Sequence, residues 1–129
     1  MAKNKEEKTN VMRTLEQKKI PYTAHSYDPE GPIDGVSVAQ TLGQPPERVF
    51  KTLVTKGASG AYYVFDIPVA ENLDLKKAAR AVGEKSIAML PQKELLGLTG
   101  YVHGGCSPVG MKKQFPTVFH ETAAEYDTI

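Results

Sequence analysis

Two β-prone runs, residues 50–55 and 61–67, flank the link Gly57-Ala58-Ser59-Gly60. A glycine-bounded link of that length joins antiparallel neighbours, so the chain is expected to fold around a hairpin. Helical signals surround it. Val11, Met12 and Leu15 mark one face of a helix over about residues 5–18, which Ile20-Pro21 ends because proline disfavours helical geometry at the residue before it. Residues 22–27 alternate as a strand that Tyr27 closes at the turn Asp28-Pro29-Glu30-Gly31-Pro32. Ser37 is placed to cap a short helix carrying Val38, Ala39 and Leu42 and ended by Gly43.

After the hairpin, Asn72 or Asp74 caps a helix that buries Leu75, Ala78, Ala79 and Val82, leaves Lys76, Lys77 and Arg80 outside and ends at Gly83. A strand over 86–90, a helical turn over 91–96, a glycine-rich segment over 99–110 and a strand over 117–119 follow. Residues 126–129 read as the start of a further strand. Short strands interleaved with short helices, two of them a hairpin, imply an α/β (α+β) domain with a mixed sheet rather than a doubly wound one.

With 129 residues the chain is sized for one domain spanning 1–129. Sixteen basic side chains face fifteen acidic ones, so no overall field draws a polyanion, and any nucleic-acid contact is local, as at Lys112-Lys113 or Lys76-Lys77-Arg80. Cys106 stands alone, no secretion signal is seen at the N-terminus, and the apolar stretches fall far short of the roughly 20 residues that cross a bilayer. A soluble cytoplasmic protein with no membrane partner is the expectation.

His25, His103 and His120 are too scattered for a metal site, and no metal or cofactor is expected. The stretch Gly105-Cys106-Ser107-Pro108-Val109-Gly110-Met111-Lys112 has methionine where a phosphate loop needs lysine, and Ser107 lacks the following glycine of a nucleophile elbow. Gly104 and Gly105 let the backbone approach a ligand, where its N–H groups could hold a developing oxyanion; a tight structural turn is the other reading. Cys106 has no base beside it in sequence and reads as a small hydrophobe. Lys51 interrupts an apolar run and shares a strand face with Leu53: a fixed charge if that face lines a cleft, a surface residue if it meets solvent.

Taken in order, His25-Ser26-Tyr27, Val49-Phe50-Lys51-Thr52-Leu53, Pro68-Val69-Ala70 with Leu73-Asp74-Leu75-Lys76-Lys77, and the run from Thr99 to Gly110 resemble the YbaK family of aminoacyl-tRNA deacylases, which includes the editing domain of some prolyl-tRNA synthetases. The resemblance implies a mixed sheet curled towards a barrel, with helices around it and the aminoacyl end of tRNA in a cleft. It assigns Lys51 to the terminal adenosine or the ester, Gly104, Gly105, Ser107, Pro108 and Gly110 to the aminoacyl group, and Tyr27 to the neighbourhood of the substrate. YbaK-like members act on Cys-tRNA(Pro), releasing cysteine as a cyclic thiolactone with no enzymic nucleophile, and the resemblance points to prolyl-tRNA synthetase as the partner that reads tRNA identity. Family members continue past a segment like Tyr126-Asp127-Thr128-Ile129 into a further strand, so the family's last strand is expected to be missing here.

Trans-editing of Cys-tRNA(Pro) is the leading expectation. Deacylation of Ala-tRNA(Pro) or another mischarged tRNA is the alternative within enzymes. A non-catalytic module binding a nucleotide or aminoacyl ligand is the alternative outside them, against which the intact Lys51 counts.

Overall fold

The computed structural model describes residues 9–25, 34–102 and 105–129. Helix α1, Asn10–Gln17, starts where the Thr9 hydroxyl accepts the Met12 N–H at 3.2 Å. Helix α2, Gly35–Thr41, is capped by Asp34, whose carboxylate accepts the Ser37 N–H at 3.1 Å. A 3₁₀ turn, Pro46–Arg48, leads into the hairpin of β1, Phe50–Gly57, and β2, Tyr62–Pro68. Helix α3, Leu75–Val82, is held at its start by Asp74, which accepts the Lys76 and Lys77 N–H groups, and is released at Gly83 in the left-handed region. Strand β3, Ile87–Met89, helix α4, Gln92–Thr99, strand β4, Thr117–Phe119, and a 3₁₀ helix, Glu121–Glu125, complete the described elements.

The strands form one sheet in the order β3-β1-β2-β4. β1 pairs antiparallel with both neighbours, and β4 joins β2 in parallel, so the sheet is mixed as expected and open rather than closed. Alternation gives it two apolar faces. On one, Val54 and Val64 pack with Leu90 and Phe115 under Leu95 and Leu98 of α4 and under Cys106 and Met111 of the glycine-rich segment. On the other, Phe65 packs with Ile87 and with Ala78 and Ala79 of α3.

The hairpin, α3 and the 117–119 strand form where the sequence predicts, but several local expectations need correction. The buried stripe of α3 is narrower than expected, with Ala78 and Ala79 buried and Leu75, at its first turn, 39 % exposed. Thr9 keeps extended geometry, so α1 begins at Asn10 rather than near residue 5. Residues 22–25 form no strand; the rest of that segment, with Tyr27, lies outside the described residues. Asp34 rather than Ser37 caps α2, because a carboxylate three residues ahead of the Ser37 N–H outcompetes a hydroxyl within the helix. The helical turn predicted over 91–96 continues to Thr99, where Gly100 ends it in the left-handed region. Residues 126–129 pair with no strand among the described residues. Instead, Arg48 holds this tail, its Nε and Nη2 donating to the Thr128 carbonyl at 3.2 and 3.1 Å and its guanidinium lying 5.7 Å from the Tyr126 ring centre.

Candidate active site

The site follows from a mismatch of strand lengths. β3 has three residues and pairs only with Thr55, Lys56 and Gly57, whereas β1 has eight. The 50–53 half of β1 therefore has a strand neighbour only on the β2 side among the described residues. The Val49 carbonyl bonds towards β2 and the Val54 carbonyl towards the β3 side, so alternation turns the main-chain groups of Phe50 and Thr52 out from the free edge.

A cleft of about 480 Å³ runs along this edge, within the range of small-ligand sites. Asp34, Gly35 and Val38 of the α2 region close one side with Val49 and Val69; Met89, Leu90, Gln92 and Leu95 close the other, with Cys106. All of Phe50, Lys51, Thr52, Leu53 and Val54 line it. Successive strand residues point to opposite faces, so the cleft wraps around the edge rather than lying on one face.

Lys51 is half-buried in this wall, and its ammonium makes no hydrogen bond or ion pair among the described residues. The Asp34 carboxylate is committed to its cap, and the Ser37 hydrogen bonds hold it below the ordinary carboxylate range. Burial pushes the Cys106 thiol up, and the nearby Asp66 charge adds to the effect despite opposing hydrogen bonds, so the thiolate is scarce at neutral pH. Behind the wall, Thr52 Oγ1 donates to Asp66 Oδ1 at 2.6 Å across the β1–β2 register. Asp66 is 2 % exposed, and its Oδ2 has no hydrogen-bond partner among the described residues.

The structure brings Lys51 and Cys106 together in the cleft. Gly105, Ser107, Pro108 and Gly110 are not in its lining. The Gly105 N–H donates to the Val102 carbonyl at 2.9 Å, and the Ser107 hydroxyl accepts the Val109 N–H at 3.1 Å, closing a local turn around Pro108. Gly110 has φ +81°, and a Cβ there would lie 2.9 Å from the Tyr101 hydroxyl and 3.4 Å from Asn10 of α1. Tyr27, Gly104 and His103 lie outside the described residues. No group of three or more metal-ligating side chains occurs among the described residues. Sequence reasoning missed Thr52, Asp66 and the α2 wall. The signal for Asp66 was present, a charged residue inside the apolar run Val64-Phe65-Asp66-Ile67, the same irregularity that singles out Lys51.

Fold and cleft define a class: a small α+β domain with a cleft that wraps the edge of a mixed sheet. The chain belongs to the aminoacyl-tRNA editing domain family, whose model matches residues 34–129. It is 49 % identical to EbsC of Enterococcus faecalis, a proposed Cys-tRNA(Pro)/Cys-tRNA(Cys) deacylase, over all of this chain and 80 % of that protein. A crystal structure of a proposed trans-editing enzyme for prolyl-tRNA synthetase superposes with TM-score 0.79 at 29 % identity, over 91 % of this chain and 73 % of the other. The hypothetical protein APE2540 shares the fold at TM-score 0.81 and 19 % identity, over 92 % of this chain and 77 % of its own. No helix among the described residues is long and apolar enough to cross a membrane.

Proposed function

We propose that the protein is a trans-editing aminoacyl-tRNA deacylase that clears cysteine from Cys-tRNA(Pro), working in the cytoplasm beside prolyl-tRNA synthetase. The observation that carries this reading is the Lys51 ammonium, without a partner among the described residues, at a sheet edge that no described strand covers, in a cleft sized for a small ligand. The similarity to EbsC supplies the substrate class.

The cleft wall offers no activated nucleophile among the described residues: Asp34 is engaged as a cap, and burial keeps the Cys106 thiol protonated. Positioning and electrostatics then supply the rate. Lys51 contacts the terminal adenosine or the ester, and the outward N–H groups of Phe50 and Thr52 are available to a carbonyl gaining negative charge. The substrate's own thiol attacks its ester carbonyl. The new C–S bond displaces the ribose oxygen, which takes up the thiol proton, and cysteine leaves as a thiolactone. In this reading Gly105, Ser107, Pro108 and Gly110 meet the aminoacyl group from outside the cleft lining, and the family resemblance assigns Gly104 and Tyr27 to the same group.

The test is amino-acid release from Cys-tRNA(Pro), Ala-tRNA(Pro) and Ser-tRNA(Pro). Cysteine is expected to be lost fastest, and Lys51→Ala to lose at least about a hundredfold in kcat/KM, equivalent to about 3 kcal/mol of transition-state stabilisation, while remaining folded. Preference for alanine would move the substrate to Ala-tRNA(Pro). Absence of release would leave a binding module.

A further inference from the structure

Lys51 and Thr52 are consecutive on β1 and both line the cleft, so their side chains reach it from opposite faces of the strand. The cleft therefore has a direction, with a cation on one side of the edge and a hydroxyl on the other.

A threonine hydroxyl has one proton to donate. In Thr52 that proton is directed to Asp66 Oδ1 at 2.6 Å, which leaves the oxygen's lone pairs as its remaining hydrogen-bonding capacity. Asp66 lies directly across the register from Thr52, almost wholly buried, with its second oxygen unpartnered among the described residues. A carboxylate so placed fixes the rotamer of Thr52 and puts negative charge behind an acceptor at the cleft wall. In a buried site, an acceptor backed by uncompensated charge selects a cationic donor over a neutral one.

We infer that Thr52, fixed by Asp66, is the acceptor for the α-ammonium group of the aminoacyl ester, with Asp66 acting as a positioning residue. The inference rests on the reading of the cleft as the deacylation site. The amine beside the ester is the cationic donor at that end of an aminoacyl-tRNA, whereas the Lys51 ammonium on the opposite face repels an amine and suits the ester carbonyl. Together the two residues orient the ester across the free edge, beside the outward main-chain groups of β1.

The experiment compares kcat/KM for Cys-tRNA(Pro) and for N-acetyl-Cys-tRNA(Pro), in which the amine is capped and uncharged. The wild-type protein is expected to prefer the free amine by about tenfold or more, the scale of one charge-assisted hydrogen bond. Thr52→Val and Asp66→Asn should each reduce that preference by at least about threefold, mainly through KM for the free-amine substrate, and Thr52→Ser should restore it. A wild-type protein indifferent to the cap, or a preference unchanged in folded Thr52→Val, would overturn the inference while leaving deacylation intact. Failure of the wild-type protein to release either amino acid would instead overturn the functional reading beneath it.

Discussion

Asp66 carries a negative charge in a strand whose neighbours Val64, Phe65 and Ile67 are all buried. Burial raises its carboxyl from 3.8 to about 6, and the Thr52 hydrogen bond only partly opposes that. The folded protein thus keeps this proton to higher pH than the unfolded chain, so the stability linked to it is complete below about pH 4 and is lost as pH rises through about 6. Asp66→Asn removes the titration and keeps the shape. Its melting temperature relative to wild type should climb between about pH 4 and 6 and level off by about pH 7; parallel melting curves across that range would show that Asp66 does not titrate there. At this scale, legibility depended on what each residue interrupts. Lys51 was visible because a charge broke an apolar run, but the same sequence could not say whether its strand face met a cleft or solvent. Thr52 carried no signal, being an ordinary strand residue whose importance comes from a partner fourteen positions away.

Elements were legible where one local interaction decides them. Asp74 and Gly83 bound α3 because a carboxylate satisfies the free N–H groups at a helix start and glycine takes the left-handed geometry at its end. The wall formed by α2 was not legible, because it depends on a contact between segments distant in sequence. A Cβ built on Gly35 would lie 2.5 Å from Cγ1 and 2.6 Å from Cβ of Val69, so the helix start docks against the end of β2 only because residue 35 has no side chain. Both residues line the cleft. Gly35→Ala should push α2 outward, costing about 1–3 kcal/mol of stability by overpacking and raising KM more than it lowers kcat. Chemical denaturation and steady-state deacylation check the two effects separately. Unchanged stability would show that α2 yields freely, and a loss confined to kcat would place the helix in the chemistry rather than in the binding wall.

For the whole molecule, strand order was beyond the sequence. β4 is three residues long and pairs in parallel with Val64, Phe65 and Asp66 from far along the chain, and no periodicity encodes such a partnership. The free edge is likewise a product of assembly, since the cleft exists where short β3 stops covering long β1. Net charge, by contrast, transfers directly from sequence to behaviour. At +1 overall, the protein has no broad field to grip a tRNA body. The basic residues of α3 belong to a helix packed on the sheet face that Lys51 shares, but none of them lines the cleft. Recognition confined to the acceptor end should involve few phosphates, each contributing about 0.7 to the logarithmic salt slope on a single strand. The slope of log kcat/KM against log salt concentration is therefore expected at about −1 to −2, and Lys76→Gln with Lys77→Gln should leave it unchanged. A slope steeper than about −5, or one flattened by the α3 substitutions, would mean that the tRNA body lies across the α3 face and that the cleft is one part of a much larger footprint.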